Sequence, residues 1–218
     1  MSRPRTSFTL AAQPEARDVL RRCPRISLDR DAVLSAEDLS TSKLLVVERG
    51  IAQIIRLAPS KRPAILAIAG AGAVLLPPAR NEEVAGVTDA VITLLPPAAC
   101  QLLLSLPPAA DALLDALLEA LRERQETLGY TTGAAHRDRL REGLFQLARM
   151  HGKVRPNGIE IEVPLTHQLL ARLIGSARET VTTTLRAFER EGLLEREDGV
   201  YRLLVAPSML EANAVPYD

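Results

Sequence analysis

Only two cysteines occur among the 218 residues, Cys23 and Cys100. They lie far apart and without metal-ligand spacing, so they read as two reduced thiols rather than a disulfide framework. An iron–sulfur centre needs more thiolates than the chain has. Histidine is equally scarce. His136, His151 and His167 all fall in the C-terminal half, which leaves the N-terminal half without a haem or metal ligand of that type. No P-loop, no Gly-x-Gly-x-x-Gly before a helix and no nucleophile–base set is present. Glu82 and Glu83 are neighbours, so on a strand they point to opposite faces and do not converge as an acid–base pair. An enzyme is not expected, and neither is a cofactor or a metal ion. Met1–Leu20 lacks a basic-then-apolar leader, and the run Ala64–Leu76 is too short to span a bilayer. The expectation is a cytoplasmic protein with no membrane partner. Lysine is nearly missing (Lys43, Lys61, Lys153), and arginine carries most of the positive charge.

What is present is ample apolar material. Hydrophobic residues make up 47% of the chain, enough to support one large or two modest domains. After a polar Met1–Pro14 and a short helix over Glu15–Arg22, brief apolar runs alternate with turn residues. Leu44–Glu48, Ile51–Leu57, Ala64–Ile68, Ala73–Leu76, Glu83–Val87 and Ala90–Leu95 are predicted strands. Glu48–Gly50 reads as a tight connection and Pro59–Pro63 as a hairpin-like loop. Strands at this spacing suggest a small sandwich, barrel or roll.

Pro96–Leu106 reads as a short helix, with Pro107-Pro108 ending it and opening the next. Over Ala109–Leu128 the apolar residues Ala110, Leu114, Leu117, Leu121 and Leu128 repeat at coiled-coil spacing, with Arg124 at the skipped position. This stripe predicts a homodimer through Leu114, Leu117, Leu121 and Leu128. Leu113 and Leu118 lie beside it and are expected to pack on the β domain. Gly129–Gly133 has the composition of a hinge, followed by an amphipathic helix over His136–His151. Lys153–Gly158 reads as a turn and Ile159–Val163 as a strand.

The stretch Thr166–Arg190 carries the chemistry. Leu169, Leu170, Leu173 and Ile174 form one helical stripe, and Val181, Leu185 and Phe188 another. Gly175 between them suits a turn with positive φ. Ser176 and Glu179 have the spacing of a capping box that opens the second helix. Leu193–Arg196 and Val200–Val205 then flank Asp198-Gly199, a two-residue hairpin signal. Two helices, a glycine turn and a hairpin make a winged helix-turn-helix. Arg178, in the first turn of the second helix, has the shape to donate twice to a guanine edge, and Glu179 can accept from cytosine. Ser176, Thr180, Thr182 and Thr183 are short hydroxyl donors suited to phosphates or base edges. Thr166, His167 and Gln168 open the first helix, and Arg186 suits the phosphate backbone.

Net charge is +0 and the isoelectric point about 6.9, which counts against nucleic-acid binding unless charge is segregated by face. A ligand-binding or protein-interaction module with a winged helix that does not touch DNA is the alternative left open by these values.

The run Gly175–Val181, Gly-Ser-Ala-Arg-Glu-Thr-Val, resembles the turn and recognition-helix start of the Crp/Fnr family of bacterial transcription regulators. The layout resembles that family from end to end. By that resemblance the fold is α+β. It has an N-terminal antiparallel, cyclic-nucleotide-binding-like β-roll (1–106), a long dimerisation helix and hinge (107–133), a winged helix-turn-helix (134–206) and a tail (207–218). Arg178 and Glu179 would read bases, while Thr166, Gln168, Ser176 and Thr180 would touch phosphates. The implied function is sequence-specific regulation of transcription as a homodimer, with double-stranded promoter DNA, a second copy of the chain and RNA polymerase as partners. Thr182-Thr183 stands where many members place a second base-reading arginine, so the preferred half-site is expected to differ. Members that bind cyclic nucleotides carry a Gly-Glu pair and then Arg-Ser or Arg-Thr. Here Gly70–Glu83 has no Gly-Glu pair, and Arg80-Asn81 stands in the second place. Independence from cyclic AMP is expected, with Arg80 the candidate for holding a small acidic effector. The apolar lining expected for such a pocket is Leu66, Ile68, Val74 and Leu75.

Overall fold

The computed structural model describes residues 10–58, 61–129 and 135–212. The expectations for residues 1–9, for 59–60 of the predicted loop, for 130–133 of the predicted hinge and for the tail past 212 lie outside them. The chain divides into two compact units, with the boundary between Leu128 and Gly129.

The first unit begins with a 3-10 turn (Leu10–Ala12) and helix α1 (Pro14–Arg22), which has proline in its first turn. Eight strands follow: β1 (Arg25–Leu28), β2 (Val33–Ser35), β3 (Leu44–Arg49), β4 (Ala52–Ala58), β5 (Lys61–Ala69), β6 (Val74–Leu75), β7 (Glu82–Gly86) and β8 (Ala90–Leu95). They form two four-stranded antiparallel sheets, ordered β1-β8-β3-β6 and β2-β7-β4-β5. The apolar faces of the two sheets meet in a core that includes Leu28, Leu45, Val47, Ile54, Leu66, Leu75, Val84 and Ile92. Gly50, at φ 77°, makes the connection after β3, where a Cβ would stand 2.1 Å from the Asp89 carbonyl oxygen. A second cluster covers the outer face of the first sheet. Val19 and Leu20 of α1, Cys100 and Leu103 of α2 (Pro97–Leu104), and Ala109, Ala112 and Leu113 of α3 (Pro107–Gly129) pack there with Leu44, Val46, Val74 and Leu95. All six predicted strands are present, and β1 and β2 are additional. Leu66 and Leu75 belong to the inner core and Val74 to the outer cluster, so the four residues expected to line one pocket do not share a cavity wall. Arg80 is exposed, beside β7.

Helix α3 leaves Leu114, Leu121 and Leu128 of the expected seam exposed and turns Leu117 toward the core. Its buried face runs through Ala109, Leu113, Glu123 and Thr127, with Leu117 partly buried against the outer cluster. Its open stripe is Leu114, Leu118, Leu121, Gln125 and Leu128. Of the expected seam positions, Leu117 is thus half-buried and the Arg124 guanidinium is turned inward to Glu82, while Leu118 and Gln125 stand on the open face. The four-three spacing is kept, but adjacent leucines leave two phases open and packing selects one. No single described helix is long and apolar enough to cross a membrane. α2 and α3 pass that test only when joined across a 117° bend, and both contribute side chains to the unit's own core.

The second unit holds α4 (His136–His151), β9 (Gly152–Arg155), β10 (Gly158–Ile161), α5 (His167–Leu173), α6 (Arg178–Arg190), β11 (Leu194–Glu197), β12 (Val200–Leu203) and α7 (Pro207–Ala212). The strands form one antiparallel sheet ordered β11-β12-β10-β9. The segment expected as a turn at Lys153–Gly158 is instead mostly strand, because Lys153 and Arg155 pair with Glu160 and Gly158 across a Pro156-Asn157 turn. The tail, which showed no pattern, forms α7 against α4. Asp198 and Gly199 both have positive φ (49° and 83°), the geometry a two-residue hairpin between β11 and β12 requires.

Candidate nucleic-acid interface

Leu169, Leu170 and Leu173 of α5 and Val181, Leu185 and Phe188 of α6 are all buried, and the two helices pack on α4. Their apolar stripes fix which side chains face outward. The bend is made at Gly175, φ 60°, a left-handed conformation costly for residues with a Cβ. Thr166 caps α5, its hydroxyl oxygen accepting from the Leu169 backbone N–H at 3.0 Å.

The expected capping box is absent. Helix α6 starts one residue later than that pattern requires, with Ala177 as an extended N-cap and no side-chain hydrogen bond to it. Glu179 then lies at the second helical position, where its charge still suits the helix dipole. Ser176 is only 5% exposed and its hydroxyl is buried, so it is turned under the turn and not toward a phosphate. The threonines of α6 also differ from expectation. Thr182, Thr183 and Thr184 each donate to the carbonyl four residues back, at 2.9, 3.0 and 2.8 Å. These back-bonds accommodate hydroxyl-bearing β-branched residues in a helix. They also occupy the hydroxyl hydrogens of Thr182 and Thr183, leaving acceptor lone pairs for any partner.

The remaining candidates converge. Leu165, Thr166, His167, Gln168 and Arg178 line a cleft of about 310 Å³ with Arg196 of β11. Thr166, Gln168, Arg178, Glu179 and Arg186 are exposed, and Thr180 is half-buried. Arg196 escaped the sequence reading. It is one of three exposed charged residues on a short strand and is recognisable only once it is paired with Tyr201. Its guanidinium lies 5.1 Å from the centre of the Tyr201 ring, a cation–π contact on a buried aromatic.

His167 sits at the back of the cleft. Its Nδ1 is 2.8 Å from the Thr182 hydroxyl and its Nε2 3.1 Å from the Tyr201 hydroxyl. Burial pushes its pKa below the ordinary histidine value. The charges of Arg196, Arg178 and Arg186 act the same way against an opposing Glu189. Burial likewise pushes the Tyr201 phenol up, so both groups are neutral in the ordinary pH range. A concave surface bearing two guanidiniums, an exposed hydroxyl and an amide at the start of two helices suits a phosphate-bearing partner.

Residues 138–212 match the model of the Crp-like helix-turn-helix domain. A stretch of 97 residues is 34% identical to the regulatory protein CysR of Synechococcus elongatus, covering 40% of this chain and 47% of that protein. The match thus spans about half the length of that curated relative. Among solved structures, a CooA mutant from Carboxydothermus hydrogenoformans superposes with a TM-score of 0.76 at 23% identity, covering 93% of each chain. A CRP-family transcriptional regulator from Thermus thermophilus gives 0.65 at 22% identity, over 86% of this chain and 95% of that one. At these identities the structural likeness concerns the fold: a β-roll, a long helix and a winged helix-turn-helix.

Proposed function

We propose that the chain is a transcription regulator of the Crp/Fnr type that binds double-stranded promoter DNA in the cytoplasm as a homodimer, without cyclic AMP. The observation that carries the DNA reading is the cleft where Thr166, Gln168 and Arg178 meet the wing residue Arg196. Arg178 at the first helical position of α6 reaches base edges, where its two parallel N–H donors fit a guanine. Thr166, Gln168 and Arg196 hold the flanking phosphates, and Arg186, two turns along α6, adds a further positive charge for the backbone. Two copies joined along Leu114, Leu118, Leu121 and Leu128 read half-sites about one helical turn apart. RNA polymerase is the further partner of a regulator seated on a promoter.

Independence from cyclic AMP is supported by the departures in Gly70–Glu83 and by the position of Glu82. That carboxylate is 3% exposed and accepts hydrogen bonds from Arg56, Arg124 and the Ala79 backbone N–H. It engages Arg56 and Arg124 and adds a negative charge to this side of the roll. The test is a fluorescence-anisotropy titration of the full chain against a promoter fragment and a scrambled one, with no nucleotide added. Selective binding at moderate salt is expected, with Arg178→Ala losing about 1–3 kcal/mol and most of the selectivity. Equal affinity for both fragments, or dependence on added cyclic AMP, would overturn the corresponding half of the proposal.

A further inference from the structure

A chain of hydrogen bonds runs from the wing through α5 into α6, and its direction follows from counting hydrogens. Thr182 has one hydroxyl hydrogen, and it is directed at the Arg178 carbonyl oxygen 2.9 Å away. The Thr182 oxygen therefore accepts from His167, so the imidazole carries its hydrogen on Nδ1. Nε2 is then a lone pair, and the Tyr201 hydroxyl donates to it. One neutral ring thereby ties β12, α5 and the first turn of α6 together. Both ends of the chain terminate at the cleft. At one end the last acceptor is the carbonyl of Arg178 itself. At the other, Tyr201 faces Arg196 across the β11–β12 ladder and carries its guanidinium on the ring.

We propose that His167 is a positioning residue: its neutral imidazole couples the wing to the recognition helix and sets the spacing of Arg178 and Arg196. The proposal rests on the DNA-binding reading of the cleft and reassigns His167 from DNA contact to scaffold. The charged groups facing the ring are Arg196 from β11 and Arg178, Arg186 and Glu189 from α6, and Tyr201 of β12 is its titratable neighbour. This mostly positive surrounding favours the neutral ring. Protonation gives Nε2 a hydrogen, so Tyr201 has to accept, and its own hydrogen loses its acceptor in a site where the side chain is 1% exposed.

The experiment has two arms, both on the full chain. In the first, the His167 ring and the backbone amides of Thr182 and Tyr201 are followed by NMR across pH without DNA. A midpoint below the ordinary 6.5, shared by all three residues and moved upward by Tyr201→Phe, is expected. A midpoint at or above 6.5, or separate midpoints, overturns the coupling. In the second arm, Tyr201→Phe removes a hydroxyl that DNA cannot reach. It should weaken selective binding about 3- to 10-fold with an unchanged salt dependence, because no charge is lost. His167→Asn keeps a donor for Thr182 and should lose less than His167→Leu. Wild-type affinity in Tyr201→Phe overturns the positioning role. Failure of the wild-type protein to bind any promoter fragment overturns the DNA reading instead and leaves the titration to decide the coupling.

Discussion

One guanidinium nitrogen of Arg124 on α3 lies 2.5 Å from Oε1 of Glu82 on β7, a direct tie between the long helix and the β-roll that carries it. The same carboxylate oxygen accepts from Arg56 at 3.2 Å, and Oε2 accepts from the Ala79 backbone N–H at 3.2 Å. Burial works against a charge on Glu82. The hydrogen bonds from Arg124, Ala79 and Arg56 and the Arg124 charge outweigh it and hold the carboxyl below its usual range.

Glu82→Gln should therefore destabilise the first unit by about 2–3 kcal/mol, near the low end for breaking a buried pair because Arg56 keeps contact with water. Urea unfolding followed by circular dichroism measures it. Since the folded pKa is depressed, the stabilisation is present above the unfolded carboxylate range and is lost as pH falls through the lower folded value. Wild type should converge on the variant in acid and diverge from it at neutral pH.

Glu123, one residue before Arg124, behaves in the opposite way. Its Oε1 accepts from the Ile68 backbone N–H at 2.8 Å. Burial, reinforced by the charges of Glu119 and Glu126, pushes its pKa up to about 8 against that hydrogen bond. The group is neutral in the folded protein at about pH 7 and charged in the unfolded chain. Its contribution is full below the unfolded value and declines as pH rises toward about 8. Glu123→Gln, which fixes the neutral form, should match wild type at about pH 4 and melt at least roughly 5 °C higher near about pH 8.5. A constant difference across that range would contradict a neutral Glu123.

How much of this was legible in the sequence depends on burial. The six predicted strands each supply apolar side chains to a sheet interior, and their turns are marked by glycine or proline. The strands without a signal, β1, β2 and β9, are all at sheet edges. An edge strand is paired on one side and largely exposed, as the patterns of Val33–Ser35 and Gly152–Arg155 show, so its alternation fades. The helix-turn-helix was legible because the stripes of α5 and α6 and the Gly175 turn are local properties. Ser176 misled because a capping box is defined by spacing, and one residue of register moved the cap to Ala177. Arg196 and the role of His167 were out of reach, since both depend on a tyrosine brought in by the wing.

Arg196→Ala tests whether the wing belongs to the DNA surface. Arg196 is exposed, on the cleft beside Arg178, and it makes no salt bridge among the described residues. If it neutralises one phosphate, its loss should weaken binding to selective and scrambled fragments alike. The slope of log affinity against log salt should drop by about one. A change confined to the selective fragment would instead assign Arg196 to base reading.

The open stripe on α3 is where the proposed dimer is tested. Leu114, Leu118, Leu121 and Leu128 are 56%, 40%, 47% and 37% exposed on a single helix, whereas Leu113 on the opposite face is 2% exposed. Four leucines at coiled-coil spacing, each more than a third exposed, would form a self-complementary seam if a second copy packed against them. Leu121→Glu places a charge at its centre. The melting of the first unit should hold, because the wild-type side chain is already half in water. The dimer dissociation constant should rise on the order of 100-fold, the scale of a central interface residue. Sedimentation at micromolar concentration should show the variant as a monomer and the wild type as a dimer. Leu117→Glu makes the opposing case: its side chain packs on the outer cluster, so it should lower thermal stability first. If Leu117→Glu dissociates the dimer without destabilising the fold while Leu121→Glu leaves it intact, the seam lies on the other phase of the helix.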